Sequence, residues 1–226
     1  MVAEKIGKKT EAQKQTMLTR LKETGVVAVI RVDSSDALME VGQALVAGGV
    51  EFMEITLTTP GAMDMIAHCS GKVENLVIGA GTVLEREQAE EAITAGADYI
   101  VSPITNPEVI ALCNERRVGV MPGALTPSEV YRAHTLGADV VKIFSAGVGG
   151  PKYFKDLKGP LPQIEIMPTG GVNTETAPEF IRCGACAIGV GGALAGPRLV
   201  RERDFAAITA NARSLIKSVK EARSGS

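Results

Sequence analysis

No apolar run in this 226-residue chain is long enough to span a bilayer, and the charged stretch from Met1 to Glu11 has no apolar core of the kind a signal peptide needs. The expectation is a soluble, cytoplasmic protein with no membrane partner. Basic charge is not in excess either. With 24 Lys and Arg against 26 Asp and Glu, the formal net charge is −2, so no positive field draws in nucleic acid. Four cysteines in a chain this long are too few for a disulfide-dense secreted scaffold. Two of them spell Cys183-Gly-Ala-Cys186, but Cys69 and Cys113 stand alone and offer no second half-site for zinc. The pair reads better as the end of a helix and the start of a strand, both cysteines acting as small buried hydrophobes. His68 and His134 fall in predicted helices, and no acidic or histidine cluster has metal-ligand spacing, so no metal is expected. There is no Ser/His/Asp arrangement and no glycine-rich dinucleotide fingerprint after the first strand, so no cofactor is expected. No proline-rich or serine-rich linker divides the chain. It reads as one domain over 1–226, with 1–24 as an N-terminal helical segment and 224–226 as a flexible tail.

What is present is regular. Apolar runs begin at Val26, Phe52, Leu76, Tyr99, Val118, Val140, Ile164 and Ala187, eight strand candidates separated by 19 to 26 residues. Each step holds a strand, a turn and a helix of about three turns. Helix starts are signalled at Ser34-Ser35-Asp36, Thr59-Pro60, Glu85, Asn106-Pro107, Thr126-Pro127 and Asn173-Thr174. Apolar strands alternating with amphipathic helices imply a parallel sheet covered on both faces, and eight repeats imply closure into an α/β fold of the (β/α)8 TIM barrel type. An extra helix, Glu11 to Lys22, carries only a thin stripe of Met17, Leu18 and Leu21, suited to capping the barrel's N-terminal end or touching a neighbour.

In such a barrel, chemistry gathers at the C-terminal ends of the strands. The run Val140 to Phe144 carries one lysine, Lys142, in its middle. A charge there is costly, and burial favours the neutral amine, the form that attacks carbonyl carbon to make a Schiff base. Side chains alternate along a strand, so Phe52, Glu54 and Thr56 share one face, as do Val140, Lys142 and Phe144. Glu54 and Lys142 can therefore both point inward, either as a structural ion pair or as a nucleophile beside a proton carrier. Other strand ends are Arg31, Thr58, Gly81-Thr82, Ser102-Pro103, Thr169-Gly170-Gly171 and Gly191-Gly192. The glycines of the last two either open backbone N–H groups to an anion or merely form tight turns.

These residues resemble the family of 2-keto-3-deoxy-6-phosphogluconate (KDPG) and 4-hydroxy-2-oxoglutarate (KHG) aldolases. The resemblance runs from Val26 to about Leu194 and is carried by Glu54-Ile55-Thr56-Leu57, Gly79-Ala80-Gly81-Thr82, Val101-Ser102-Pro103, Met121-Pro122-Gly123, Val141-Lys142-Ile143-Phe144 and Pro168-Thr169-Gly170-Gly171. It implies a homotrimeric, metal-free class I aldolase cleaving a 2-keto-4-hydroxy acid, phosphorylated or not. Lys142 would form the Schiff base and Glu54 would act as general acid and base. Arg31, Thr58, Thr82, Pro103, Phe144, Gly170, Gly171 and Gly192 would bind substrate. Two positions depart from the family pattern: Thr58 stands where many members have arginine, and Gly192 where serine is frequent. Two other readings of the same barrel are a phosphate-binding isomerase or epimerase, which needs no imine lysine, and a trimeric assembly scaffold.

Overall fold

The computed structural model describes residues 9–32 and 36–225. Its strands are β1 (Val26–Ile30), β2 (Phe52–Thr56), β3 (Val77–Gly81), β4 (Tyr99–Val101), β5 (Gly119–Met121), β6 (Gly123–Ala124), β7 (Val141–Phe144), β8 (Ile166–Thr169) and β9 (Ile188–Val190). Every pairing is parallel, in the order β5-β4-β3-β2-β1-β9-β8-β7-β6. Nine segments appear where eight candidates were expected because Pro122, which has no N–H to donate, divides the fifth. Its first half pairs with β4, Tyr99 opposite Gly119, and its second half pairs with β7, Gly123 opposite Lys142. The Pro122 carbonyl still accepts from the Lys142 backbone N–H at 2.9 Å. One bent strand thus serves both neighbours and brings the ring to closure as a (β/α)8 barrel.

Helices Leu38–Ala47, Ala62–Cys69, Arg86–Thr94, Pro107–Arg116, Pro127–Thr135, Gly150–Lys158, Ala177–Arg182 and Phe205–Ser224 surround it. Their starts follow the local chemistry: Thr126 with Glu129 and Glu85 with Gln88 form reciprocal caps, and the Asn106 side chain accepts from the Glu108 N–H. Two expected starts move. Thr59-Pro60 lies in the turn before Ala62–Cys69, where Gly61 takes the cap position at φ 72°. Asn173 accepts from the backbone N–H groups of Glu175 and Thr176, holding a turn, and the helix begins at Ala177. Ser34 and Ser35 lie outside the described residues, and the helix from Leu38 has no side-chain cap. Cys183 does follow the end of a helix and Cys186 does precede β9, but both are half-buried, not fully buried. All four cysteines are free.

The N-terminal helix, Glu11–Thr24, opens on a Thr10–Gln13 capping box and ends at Gly25 in a left-handed conformation, φ 72°. Its thin stripe is what matters. Met17, Leu18 and Leu21 pack with Phe52, Tyr99, Met121 and Met167 inside the barrel, so the helix plugs the N-terminal mouth. Each such side chain contributes about 1.5–3 kcal/mol on burial. Lys14 on the same helix is also buried and is matched by Asp139 at 2.9 Å and Asn114 at 3.1 Å. A second, larger core lies between the outward strand faces and the helices. Among the described residues no helix is long and apolar enough to cross a membrane.

Candidate active site

Strand alternation turns Phe52, Glu54 and Thr56 of β2 toward the barrel axis, and Lys142 of β7 meets Glu54 from across it. Lys142 Nζ lies 3.9 Å from Glu54 Oε1, and both side chains are buried. A buried structural pair is expected to close to about 2.7–2.9 Å, with every oxygen bonded. Here neither Glu54 oxygen has a hydrogen-bond partner among the described residues. The pair is held apart by its strands, at a spacing that leaves both groups available to a third. The Phe144 ring stands 5.3 Å from Nζ and is 40% exposed, at the border between the pair and solvent.

On one side of Phe144 lies a cavity of about 570 Å³ whose wall includes Arg31, Thr169, Gly170, Gly171 and Gly192. Gly170 and Gly171 have φ of 88° and 81°, a conformation that favours glycine and turns backbone groups toward the cavity. At Gly192 a side chain would meet open space. On the other side of Phe144 lies a cavity of about 380 Å³ formed by Pro103, Ile104, Thr105, Gly123 and Arg132, among others. Thr58 lines neither cavity; it is exposed and its hydroxyl lies 3.1 Å from that of Thr56. Thr82 is half-buried after β3 with φ 60°. A β-branched residue in that region is strained, and such strain concentrates at functional sites.

Apart from Thr58 and Thr82, which join neither cavity, the strand ends named from sequence fall into three groups: the Lys142–Glu54 pair, the glycine cavity with Arg31, and Pro103 behind Phe144. Arg31 joins Gly192 because β1 pairs with β9, Ala28 opposite Val190, where the ring closes. Two residues outside the predicted binding set belong here, Thr169, already named as a strand end, and Tyr99. Thr169 is buried in the cavity wall opposite Phe144 in the ladder, its hydroxyl without a partner among the described residues. Tyr99 is buried inside the barrel beneath the pair. Strand parity was the signal for both. Among the described residues no group of three His, Cys, Asp or Glu side chains is placed to hold a metal ion.

A parallel barrel with a buried amine and carboxylate facing each other across its axis is an arrangement suited to the chemistry of a Schiff-base carbon–carbon lyase. The chain matches the KDPG and KHG aldolase family over residues 17–211 and belongs to that family. It is 34% identical over 177 residues to a 2-dehydro-3-deoxy-phosphogluconate aldolase of Haemophilus influenzae, covering 75% of this chain and 84% of that one. It is 32% identical to a KHG/KDPG aldolase of Escherichia coli, covering 86% of this chain and 92% of the relative. Among solved structures, a KDPG aldolase from Legionella pneumophila with pyruvate captured as a covalent carbinolamine superposes with a TM-score of 0.82. The two are 26% identical, over 88% of this chain and 97% of that one.

Proposed function

We propose that this class I aldolase cleaves 2-keto-3-deoxy-6-phosphogluconate, or the related 4-hydroxy-2-oxoglutarate, to pyruvate and an aldehyde, with Lys142 as the imine-forming amine and Glu54 as the proton carrier. The observation that carries the reading is the unclosed Lys142–Glu54 pair, 3.9 Å apart and buried. Neutral Lys142 adds to the C2 ketone, and Glu54 gives a proton to the carbinolamine hydroxyl, which leaves as water. The resulting cationic imine draws electrons. Glu54, now a carboxylate, takes the proton of the C4 hydroxyl while the C3–C4 bond breaks. Its electron pair flows through C3 and C2 to the imine nitrogen, leaving an enamine. Glu54 returns the proton to C3, and water hydrolyses the imine to free pyruvate and Lys142.

Thr82 holds the substrate carboxylate with neighbouring backbone, and Pro103 and Phe144 flank the keto acid. Arg31, Gly170, Gly171 and Gly192 take the distal phosphate, a role suited to a planar guanidinium beside open backbone. Because these groups share one cavity, the phosphorylated six-carbon acid is the preferred substrate. The protein works in the cytoplasm as a homotrimer, the latter readable by light scattering. Borohydride reduction in the presence of pyruvate tests the central claim. The expected result is covalent mass on Lys142; an unmodified Lys142 in active protein would overturn the assignment and favour an isomerase or epimerase.

A further inference from the structure

Among the described residues, four buried side-chain oxygens lack a hydrogen-bond partner: both of Glu54, the Tyr99 hydroxyl and Thr169 Oγ1. Two of these side chains are neighbours. On the inward face of β3 a side chain at Gly79 would strike the Tyr99 ring, and one at Gly81 would strike the Glu54 carboxylate. Gly79 and Gly81 are successive inward positions of one strand, about 7 Å apart. The phenol and the carboxylate therefore occupy adjacent notches with no direct hydrogen bond between them, an arrangement that one bridging water would complete.

Their chemistry is complementary. An ionised carboxylate only accepts, a phenol donates, and a buried tyrosine hydroxyl ordinarily finds an acceptor. Inward positions of the strands carry three titratable side chains, Glu54 on β2, Tyr99 on β4 and Lys142 on β7. The plugging helix adds only Met17, Leu18 and Leu21 to that interior, since its Lys14 is engaged by Asp139 and Asn114. Among the described residues, Tyr99 is thus the one phenolic donor that faces Glu54, and Lys142 the one amine. Burial first, and the Glu54 charge second, push the Tyr99 phenol well above its ordinary range, so it keeps its proton throughout the working range.

We propose that Tyr99 is a positioning residue for Glu54: across one buried water its hydroxyl donates to the carboxylate oxygen turned away from Lys142, which keeps the other oxygen aimed at the amine and the substrate. This rests on the reading of Glu54 as the proton carrier. The donated hydrogen favours the carboxylate over the carboxylic acid, so it sets the pH at which the base becomes active.

The test is the pH dependence of pyruvate methyl-proton exchange in D2O, measured on the full-length protein alongside Tyr99→Phe and Glu54→Gln. Tyr99→Phe keeps the ring in its notch. The expected result is an acid limb displaced upward by about half to one pH unit, with a several-fold lower plateau and the yield of borohydride trapping at Lys142 retained. Replacing Tyr99 by 3-fluorotyrosine, a more acidic donor of similar shape, is expected to move the limb the other way, a response that filling space alone does not produce. An acid limb coincident with the unmodified protein in both variants would overturn the proposal. Glu54→Gln separates the two readings. If it exchanges protons normally, the proton-carrier assignment fails and this inference with it; if it abolishes exchange while the Tyr99 variants titrate normally, only the role of Tyr99 fails.

Discussion

Gly81 and Glu54 share one piece of space. A β-carbon at Gly81 would lie well inside contact distance of Glu54 Oε1, so the carboxylate occupies the volume that any other residue at 81 would fill. Backbone strain is not at stake, since Gly81 has no positive φ. Gly81→Ala is therefore expected to keep the fold and displace Glu54. A shift of about 1 Å at a reacting group costs on the order of 100-fold in kcat. Steady-state kinetics with circular dichroism checks this, and a variant with full activity would show that Glu54 does not work from its observed position.

Arg31 and Gly192 lie on the same cavity wall, and in the proposed reading they set preference at the distal end of the substrate. Arg31→Ala is expected to raise KM for a phosphorylated substrate by roughly 10-fold or more, from the loss of a hydrogen bond to a charged group. KM for an unphosphorylated one should change little. Gly192→Ser adds a hydroxyl in open space, and at about 1 kcal/mol should lower KM for the phosphorylated substrate by roughly 5-fold. Equal effects on both substrates would place the phosphate elsewhere.

Leu21 is fully buried where the N-terminal helix enters the barrel. Leu21→Ala is expected to destabilise by about 2–5 kcal/mol, as a cavity in a packed core. Urea denaturation gives the value. Turnover per folded molecule should hold, because the loss lies at the end of the barrel opposite the lysine.

Cys113 predicts behaviour in alkali. Burial pushes its thiol from 9.0 up to about 12, against the opposing pull of Lys14. The folded-state value is raised, so the contribution to stability is fully present below pH 9 and is lost as pH climbs toward 12, where the unfolded chain has already released the proton. Between these limits the slope is about −1.4 kcal/mol per pH unit for this thiol. Urea midpoints from pH 8 to 11 on the unmodified protein and Cys113→Ala should diverge accordingly; parallel slopes would show that the thiol is not shielded.

Much of this architecture follows from local periodicity. Strand, turn and helix recur because each repeat must bury one apolar run, and parity alone turns Glu54 and Lys142 to the same interior. Relationships across the ring are another matter. The 3.9 Å gap between Lys142 and Glu54 depends on the barrel's diameter, and the company of Arg31 and Gly192 depends on β1 meeting β9, a contact between the two ends of the sequence. The division of the fifth strand was written in Pro122, yet only closure reveals that its halves serve different neighbours. The left-handed Thr82 has no signal in its residue type, since threonine ordinarily avoids φ of 60°. Thr59-Pro60 and Asn173 misplace two helix starts because turn residues and cap residues are drawn from the same few types.

The helix plugged into the N-terminal mouth has a consequence for traffic. With Met17, Phe52 and Tyr99 filling the space beneath the lysine, the described residues close the N-terminal end of the barrel, and substrate and both products use the opposite end. In the proposed mechanism the aldehyde half is free once C3–C4 breaks, while the pyruvate half is still tethered through nitrogen. Departure is therefore sequential by construction, aldehyde first and keto acid last, and in the synthetic direction pyruvate must enter before its partner.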